Sequence, residues 1–559
     1  MNSKKIIGID LGTTYSCVAY IDEYGKPVVL QNSDGKLTTP SAVYFENEEN
    51  IIVGEEAKNV SKIYPDRVVE CVKRSMGDPD YSFVVDGKPY RPEEVSAYIL
   101  RKLVQDASQA LGEDVTEVII TCPAYFGANQ REATKNAGEI AGLTVRHILN
   151  EPTAAAIFFG LIRAQDNQVV LVYDLGGGTF DITVISLKDK DVNVVVTDGD
   201  AYLGGADWDK ELCLYFASEF NKSYPDTSSP LDSSHTYQDL LKKAEEAKVS
   251  LSNKEKYRLS MSHEGERATV ELTREKFEEL TSDLLERTIV LTKDVIEEAR
   301  VKGYDKIDRI ILVGGSSKMP YVAKRIEAEF GLEPQLLEPD LAVAKGAALG
   351  GVQTLAGDLL VEELARLQGV SKSEIDLETI DEKVLEAAAQ SAAAGAGSIF
   401  RLGGKELLDM ATRKISNVCS KGFGVVVKPG VNEEDIVAFL IHKNTTLPVE
   451  ITQEFGTLVD NQSSVELRVM EQAGETESSK PDDNSQIGFG DLVGFPTNLP
   501  AGSTIVITYR LDEDGTLKVR GVEPSSNTDL NFDVKVEGGV MSRQEIQEKR
   551  GLMMKQNVS

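Results

Sequence analysis

Two stretches of this chain break the rules of the strands they belong to. IIGIDLGTTYSCVAYI (Ile6–Ile21) and VLVYDLGGGTFDITVI (Val170–Ile185) are β-branched runs interrupted by an aspartate and one or more glycines. A glycine has no side chain, so its N–H can approach a phosphate closely and φ is free to turn. An aspartate at a strand end supplies a hard oxygen suited to magnesium or its water shell. Each segment therefore reads as a strand, a phosphate-gripping turn and a returning strand. Asp10 aligns with Asp174, an offset of 164 residues that is too long for a solenoid repeat and fits two similar lobes. Two such hairpins facing across a cleft would clamp a triphosphate and its metal from both sides. A further glycine pair, in LVGGSSKMP (Leu312–Pro320), lies between a strand and a helix and strengthens that expectation. No G-x-x-x-x-G-K-[ST] loop occurs, and the hairpins return as strands rather than opening helices. The design is neither a P-loop nor a dinucleotide-binding turn.

Holding such turns in place requires α/β layering, and the first part of the chain has it. Strands are expected at Lys5–Asp10, Glu117–Cys122, Val169–Asp174 and Arg309–Val313, with helices at Pro92–Leu111, Asn129–Ala141, Asp207–Glu219, Arg274–Lys302 and Met319–Phe330. From about 412 to 538 the pattern changes to period two. In SVELRVM, Val465, Leu467 and Val469 share one face, and STIVITYRLDEDGTLKVRGV reads as a hairpin turning at Asp512–Gly515. An all-β sandwich follows from this. Between the two regions, Asp358 is expected to cap a short helix carrying Leu360, Leu364 and Leu367 and closed by Gly369, and IDEKVLEAAAQSAAA is expected to form a helix ending at Gly395 and Gly397. Near the end, Ser542 and Glu545 form a capping box for one helix of about a dozen residues.

The chain has 559 residues, too many for one core. A formal charge of −31 argues against nucleic acid or an anionic membrane as the main partner. Cys17, Cys71, Cys122, Cys213 and Cys419 show neither a C-x-x-C nor a ladder of spacings, and the four histidines have no ligand spacing. That usage suits a reducing compartment and points to a cytoplasmic protein. There is no signal-peptide core, and no apolar run approaches the ~18 residues that span a bilayer.

In chain order, DLGTTYS, PAYF (Pro123–Phe126), NEPTAAA (Asn150–Ala156), DLGGGTFD and LVGGSSKMP resemble the seventy-kilodalton heat-shock chaperone family, the DnaK-like proteins. KNTTLP (Lys443–Pro448) and DNQSSVEL (Asp460–Leu467) are similar to that family's peptide-binding sandwich. The resemblance implies a two-lobed, α/β actin-like ATPase domain at 1–355 and an all-β substrate-binding sandwich at 412–538. It further implies ATP or ADP with Mg2+, and K+ as a further cation. Asp10, Gly12, Thr13, Thr14 and Tyr15 would form the first phosphate hairpin, and Gly176, Gly177, Gly178 and Thr179 the second. Asp10 and Asp174 would hold magnesium through water, Glu151 and Asp181 would help place the attacking water, and Lys73 would reach the γ-phosphate. The adenosine side would be Glu245, Lys248, Ser252, Gly314, Gly315, Lys318 and Asp340. Without the resemblance, Glu245 and Lys248 also read as an i,i+3 ion pair on a solvated helix face. Lys318 stands where the family usually has arginine, so weaker nucleotide binding is expected.

Pro123 and Arg131 match the residues that relay nucleotide state to the substrate domain, although Pro123 also reads as an ordinary strand-ending proline. The groove would be lined by Phe423, Val425, Phe455, Thr457, Leu458, Val465 and Leu467, of which Val465 and Leu467 also read as plain sandwich core. The family's linker is matched by ELLDM at 406–411, preceded by an extra segment at 356–405 that is either a spacer or a helical regulatory element. The family's helical lid would be reduced to 539–559, giving rapid substrate exchange. The implied activity is an ATP-dependent chaperone acting on exposed apolar polypeptide segments, with a J-domain co-chaperone and a nucleotide exchange factor as partners and neither nucleic acid nor membrane among them. The alternatives are a nucleotide switch that docks a dedicated partner, and a sugar-kinase-like or filament-forming relative.

Overall fold

A computed structural model describes residues 5–162, 167–189, 191–395, 403–513, 515–526, 528–533 and 540–559. Each glycine hairpin is the centre of its own sheet. In the first lobe, Ile6–Asp10 pairs antiparallel with Tyr15–Ile21 and parallel with Glu117–Cys122, giving the order 144–150, 117–122, 6–10, 15–21, 27–29. In the second, Gln168–Leu175 pairs antiparallel with Phe180–Lys188 and parallel with Arg309–Val313. The order there is 335–336, 309–313, 168–175, 180–188, 191–200 and 415–416. The internal echo is therefore a repeated topology: hairpin, third antiparallel strand, then parallel strands on the other flank.

Two helices, Glu151–Ile162 and the 27-residue Ala342–Gln368, pack between the sheets in one apolar core. Small residues make this possible. A Cβ on Gly346 would lie 1.8 Å from the Ala154 carbonyl oxygen, and one on Gly8 would lie 2.1 Å from the Ala348 nitrogen. Elsewhere the expected helices form with small shifts. Pro92–Leu111 has the expected bounds, and the long candidate from Arg274 breaks at Thr281 into Arg274–Leu280 and Ser282–Val301.

The middle segment corrects two expectations. Asp358 caps nothing: it lies inside the helix that runs unbroken through residue 355, and its carboxylate pairs with Arg146 of the first lobe. ELLDM is helical, within Gly404–Ala411, and Leu407 packs against Leu360, Leu364 and Leu385. With Glu382–Gly395 these helices form a small unit with its own core among the described residues. Gly397 lies outside the described residues. The strand that joins lobe and sandwich is Ile415–Ser416, which adds in parallel to the edge of Asp191–Asp200.

The sandwich consists of two four-stranded sheets, ordered 436–441, 423–427, 464–472, 484–493 and 449–456, 504–511, 517–523, 528–533. Its core is drawn from the alternating inward residues, Leu467 and Val469 among them. The capping box at Ser542 and Glu545 opens the helix Arg543–Met553. That helix packs on the first lobe: Met541, Ile546, Met553 and Val558 belong to the lobe's core.

Gly346 and Gly357 lie on the same helix but meet different surroundings, since nothing comes within 4 Å of a Cβ at Gly357. Gly357→Ala should stabilise the protein by up to ~1 kcal/mol through helix propensity. Gly346→Ala should destabilise it by ~1–3 kcal/mol through overpacking. Chemical denaturation of the two variants tests this. Equal shifts would contradict the close helix crossing.

Candidate functional site

The two hairpins meet. A Cβ on Gly177 would lie 2.1 Å from Thr14 Oγ1, and one on Gly178 would lie 2.2 Å from Thr13 Cγ2. Only glycine permits this approach, so Gly177 and Gly178 serve the contact between lobes. Between the lobes opens a cleft of about 640 Å³. It is lined by Asp10, Gly12, Thr13, Thr14 and Tyr15 from the first hairpin and by Asp174, Gly176, Gly177 and Thr179 from the second. Lys73, Glu151, Asp209, Glu245, Lys248, Ser252, Gly314, Gly315, Lys318 and Asp340 are among the other lining residues. Residues spread over 330 positions, from 10 to 340, thus converge on one cavity.

At its floor the buried Lys73 ammonium donates to Glu151 Oε1 at 2.5 Å. Burial works against the lysine's charge, but Glu151 and Asp10 more than offset it and hold its pKa above the ordinary lysine value. Asp10 is pushed up to about 7, first by burial and then by Glu151. Asp174 lies well above the carboxylate range, through burial and the charges of Glu151, Asp181 and Asp10. Around Lys73 the carboxylates of Asp10, Glu151 and Asp174 outnumber the ammonium, a donor set that suits a hard divalent ion. No three metal-ligating side chains among the described residues converge to bind an ion directly. The hard carboxylate oxygens of Asp10 and Asp174, crowded by burial and by neighbouring negative charge, fit a magnesium ion.

Asp181 and Gly178 sit behind the cleft wall. The Asp181 carboxylate accepts the Ala124 N–H at 2.8 Å, its other oxygen has no hydrogen bond, and burial raises its pKa well above the usual range. It fixes the PAYF loop to the second hairpin. Arg131 staples the same loop, donating to the carbonyls of Phe126 and Ala124 and to Asn150 Oδ1 at 3.0, 3.1 and 2.6 Å. From the sandwich, the buried Glu471 accepts the Ala128 N–H at 2.9 Å at the start of helix Ala128–Ile140, and Ser420 Oγ donates to the Phe126 carbonyl at 3.3 Å. The stretch 123–128 thus bonds Asp181, behind the cleft wall, through Ala124 and the β region through Phe126 and Ala128. KNTTLP makes a second junction. Asn444 Oδ1 accepts the Thr197 N–H at 2.9 Å, its amide donates to Glu298 at 3.0 Å, and Lys443 pairs with Asp198 at 2.8 Å.

Glu245 and Lys248 do not pair with each other. Glu245 accepts from Lys58 at 2.6 Å and from Tyr15 at 3.2 Å, bridging the lobes, while Lys248 donates to Asp209 at 2.6 Å and to the Gly205 carbonyl at 2.7 Å. Ser252 Oγ donates back to the Lys248 carbonyl. Lys318 pairs with Asp340 on the cleft wall. Sequence reasoning missed Lys58, Arg74 and Asp209. Arg74 donates to the Gly178 carbonyl at 2.7 Å and to Asp207, and so braces the second hairpin from the first lobe. None of the three has a spacing signal, because each partner lies more than 30 residues away.

The groove positions do not converge on an open slot. Phe423, Val425 and Leu467 are 5, 1 and 1% exposed and belong to the sandwich core, against which Phe455 and Val465 are partly packed. Thr457 is buried, donating to the Pro500 carbonyl, and Leu458 is half-buried.

The family model for Hsp70 protein matches residues 6–398 and 386–558. The chain belongs to the Hsp70 family. Similar relatives include the proteins named chaperone protein DnaK from Halobacterium salinarum strains R1 and NRC-1. Each is 36% identical over 557 residues, covering 98% of this chain and 77% of the relative.

Two measurements probe the site. Lys318→Arg should tighten ATP binding several-fold if a planar cation at this position stacks on adenine. Unchanged affinity by calorimetry refutes the stacking account. Asp209 is held at about 6 by burial, above its unfolded value, so the folded state keeps a proton that the unfolded state has lost. Its contribution to stability therefore falls as pH rises from about 4 to about 6. Asp209→Asn should flatten the melting-temperature profile across that window, and a profile parallel to wild type argues against the buried carboxylate.

Proposed function

We propose that the chain is an ATP-dependent chaperone, an ATP hydrolase whose β-sandwich binds and releases exposed apolar polypeptide segments. The observation that carries this reading is the stretch 123–128, whose Ala124 N–H bonds Asp181 beside the cleft and whose Ala128 N–H bonds Glu471 of the sandwich. A change at the phosphates and a change in the sandwich then act on the same backbone.

In the hydrolysis step, the hairpin amides at Gly12–Tyr15 and Gly176–Thr179 bind the phosphate chain. Lys73 supplies positive charge where it develops on the γ-phosphoryl oxygens. Glu151, hydrogen-bonded to Lys73, orients that ammonium and accepts from the attacking water, and Thr179 borders the same space. Magnesium, held through water by Asp10 and Asp174, would neutralise phosphate charge. Positioning and electrostatics supply most of such catalysis. Glu245, Lys248, Ser252, Gly314, Gly315, Lys318 and Asp340 take the adenosine, with K+ as a further candidate cation near the phosphates. Partners of this activity are extended polypeptides, a J-domain co-chaperone and a nucleotide exchange factor. A cytoplasmic setting goes with the five unpaired cysteines. No helix among the described residues is long and apolar enough to cross a membrane.

We divide the chain into an ATPase domain to about 355, a helical segment to 405, a connection and a sandwich to about 538. The working connection is taken as 412–422, around the strand Ile415–Ser416. The second reading is a nucleotide switch that docks a dedicated partner. The burial of Phe423, Val425 and Leu467 favours it, because a general peptide slot needs apolar side chains that a ligand can reach.

Lys73→Met should lower ATP turnover by about 10²–10³, equivalent to ~2.7–4 kcal/mol of transition-state stabilisation, while leaving ATP binding within a few-fold. Turnover within tenfold of wild type would remove Lys73 from the mechanism. Extended apolar peptides should stimulate turnover, and Glu471→Ala should abolish the stimulation. No stimulation in wild type, with hydrolysis intact, selects the switch reading.

A further inference from the structure

Beside the nucleotide cleft lies a second chamber between the lobes, of about 500 Å³ against about 640 Å³ for the cleft. Thr14, Asp209 and Glu245 line both. Glu245 forms the partition with its two partners, Tyr15 on the cleft side and Lys58 on the chamber side. The first lobe contributes the strand Val68–Glu70 and the turn Val72–Ser75, and the second contributes the helix Ser234–Asn253. Three contacts join these walls. Lys58 pairs with Glu245 at 2.6 Å, Lys242 donates to Asn59 Oδ1 at 2.7 Å, and His235 Nδ1 meets the Lys62 carbonyl at 2.9 Å.

The lining has an apolar side and one acceptor left open. Val68 and Val69 are buried and Tyr81, Phe83 and Leu241 half-buried along the apolar side. The cations are already engaged. Lys58 binds Glu245 and Tyr15, Arg74 binds Asp207 and the Gly178 carbonyl, Lys210 lies 3.5 Å from Asp207, and Lys242 binds Asn59. An anionic ligand would have to break one of these bonds to find a donor. Asp209 offers the opposite chemistry. Lys248 takes its Oδ2 at 2.6 Å, whereas Oδ1, in a residue only 8% exposed, has no hydrogen-bond partner. A buried carboxylate oxygen without a donor is costly, and a ligand that brings one recovers that cost. Backbone strain marks the same wall. Cys71 has φ 57°, in the left-handed region, immediately before the turn that carries Lys73 and Arg74. Strained non-glycine residues concentrate at ligand sites.

We propose that this chamber is a second ligand site that takes a small aromatic amine, its ammonium on Asp209 and its ring against Tyr81, Phe83 and Leu241. The occupant rests on the turn that presents Lys73 to the cleft, so it sits next to the chemistry without entering the nucleotide space.

Tryptamine serves as the probe, on the full chain loaded with ADP so that the cleft is filled. Calorimetry should give a dissociation constant of about 1 mM, ordinary for so small a ligand. Indole-3-propionate, with a carboxylate in place of the amine, should bind at least about tenfold more weakly. Hydrogen exchange should slow about threefold at amides 68–75 when tryptamine is added and stay unchanged at 312–318, on the adenosine side. Leu241→Trp, which fills the chamber, should weaken tryptamine about tenfold and leave ADP affinity within about twofold. No tryptamine binding up to about 10 mM overturns the proposal, as does equal binding of the carboxylate analogue. Protection at 312–318 instead of 68–75 overturns it too, by placing the probe in the nucleotide cleft. These outcomes are read on the wild-type chain, so a misfolded variant leaves the test intact. Exchange locates the probe whether or not ADP binds, so failure of the ATPase reading and failure of the second site are told apart.

Discussion

Everything in the cleft depends on how closely two turns approach from opposite lobes. Thr13 and Thr14 occupy the space that Cβ atoms on Gly178 and Gly177 would need, so the first hairpin can close on the second only where the latter has no side chains. That contact brings Asp10, Asp174 and Lys73, the last on a short turn of the first lobe, to one cleft beside the hairpins. The burial that results raises the carboxylate pKa values and makes the site strongly attractive to a cation. Geometry and electrostatics here have one cause.

The β region meets the lobes close to this closure. Asp181 lies just beyond the second hairpin and grips the turn at Ala124, and Arg131 makes that turn rigid. Glu471 and Ser420 then reach a firm backbone surface. Asn444 and Lys443 read the neighbouring strand of the second lobe. The sandwich is therefore in contact with both lobes. The small helical unit at 356–411 grows from the helix that crosses between them and delivers the chain to its docking strand at Ile415.

Much of the fold was legible because its signals are local. Period-two alternation located the sandwich strands, apolar periodicity located Pro92–Leu111, and the paired glycine turns located the cleft. What failed was local inference about elements whose state is set elsewhere. Asp358 looked like a cap, but the helix continues through it because Leu360 and Leu364 find partners on Glu382–Gly395 and Arg146 takes the carboxylate. ELLDM looked like a linker, yet Leu407 is buried and the sequence around it winds into a helix. The i,i+3 spacing of Glu245 and Lys248 would also suit a mutual ion pair, but their partners, Lys58 and Asp209, come from distant elements.

By itself the sequence determined the chemistry available: glycines whose amides a ligand can approach, aspartates that supply hard oxygens, and alternating apolar residues where two sheets pack. These follow from the properties of single residues and their near neighbours. Tertiary structure alone decided that Lys73 meets Glu151, that Glu471 meets the turn at Ala128, and that Val558 fills the core beside Ile51. Each of those contacts joins residues at least 78 positions apart, and no local pattern encodes a partner at that distance.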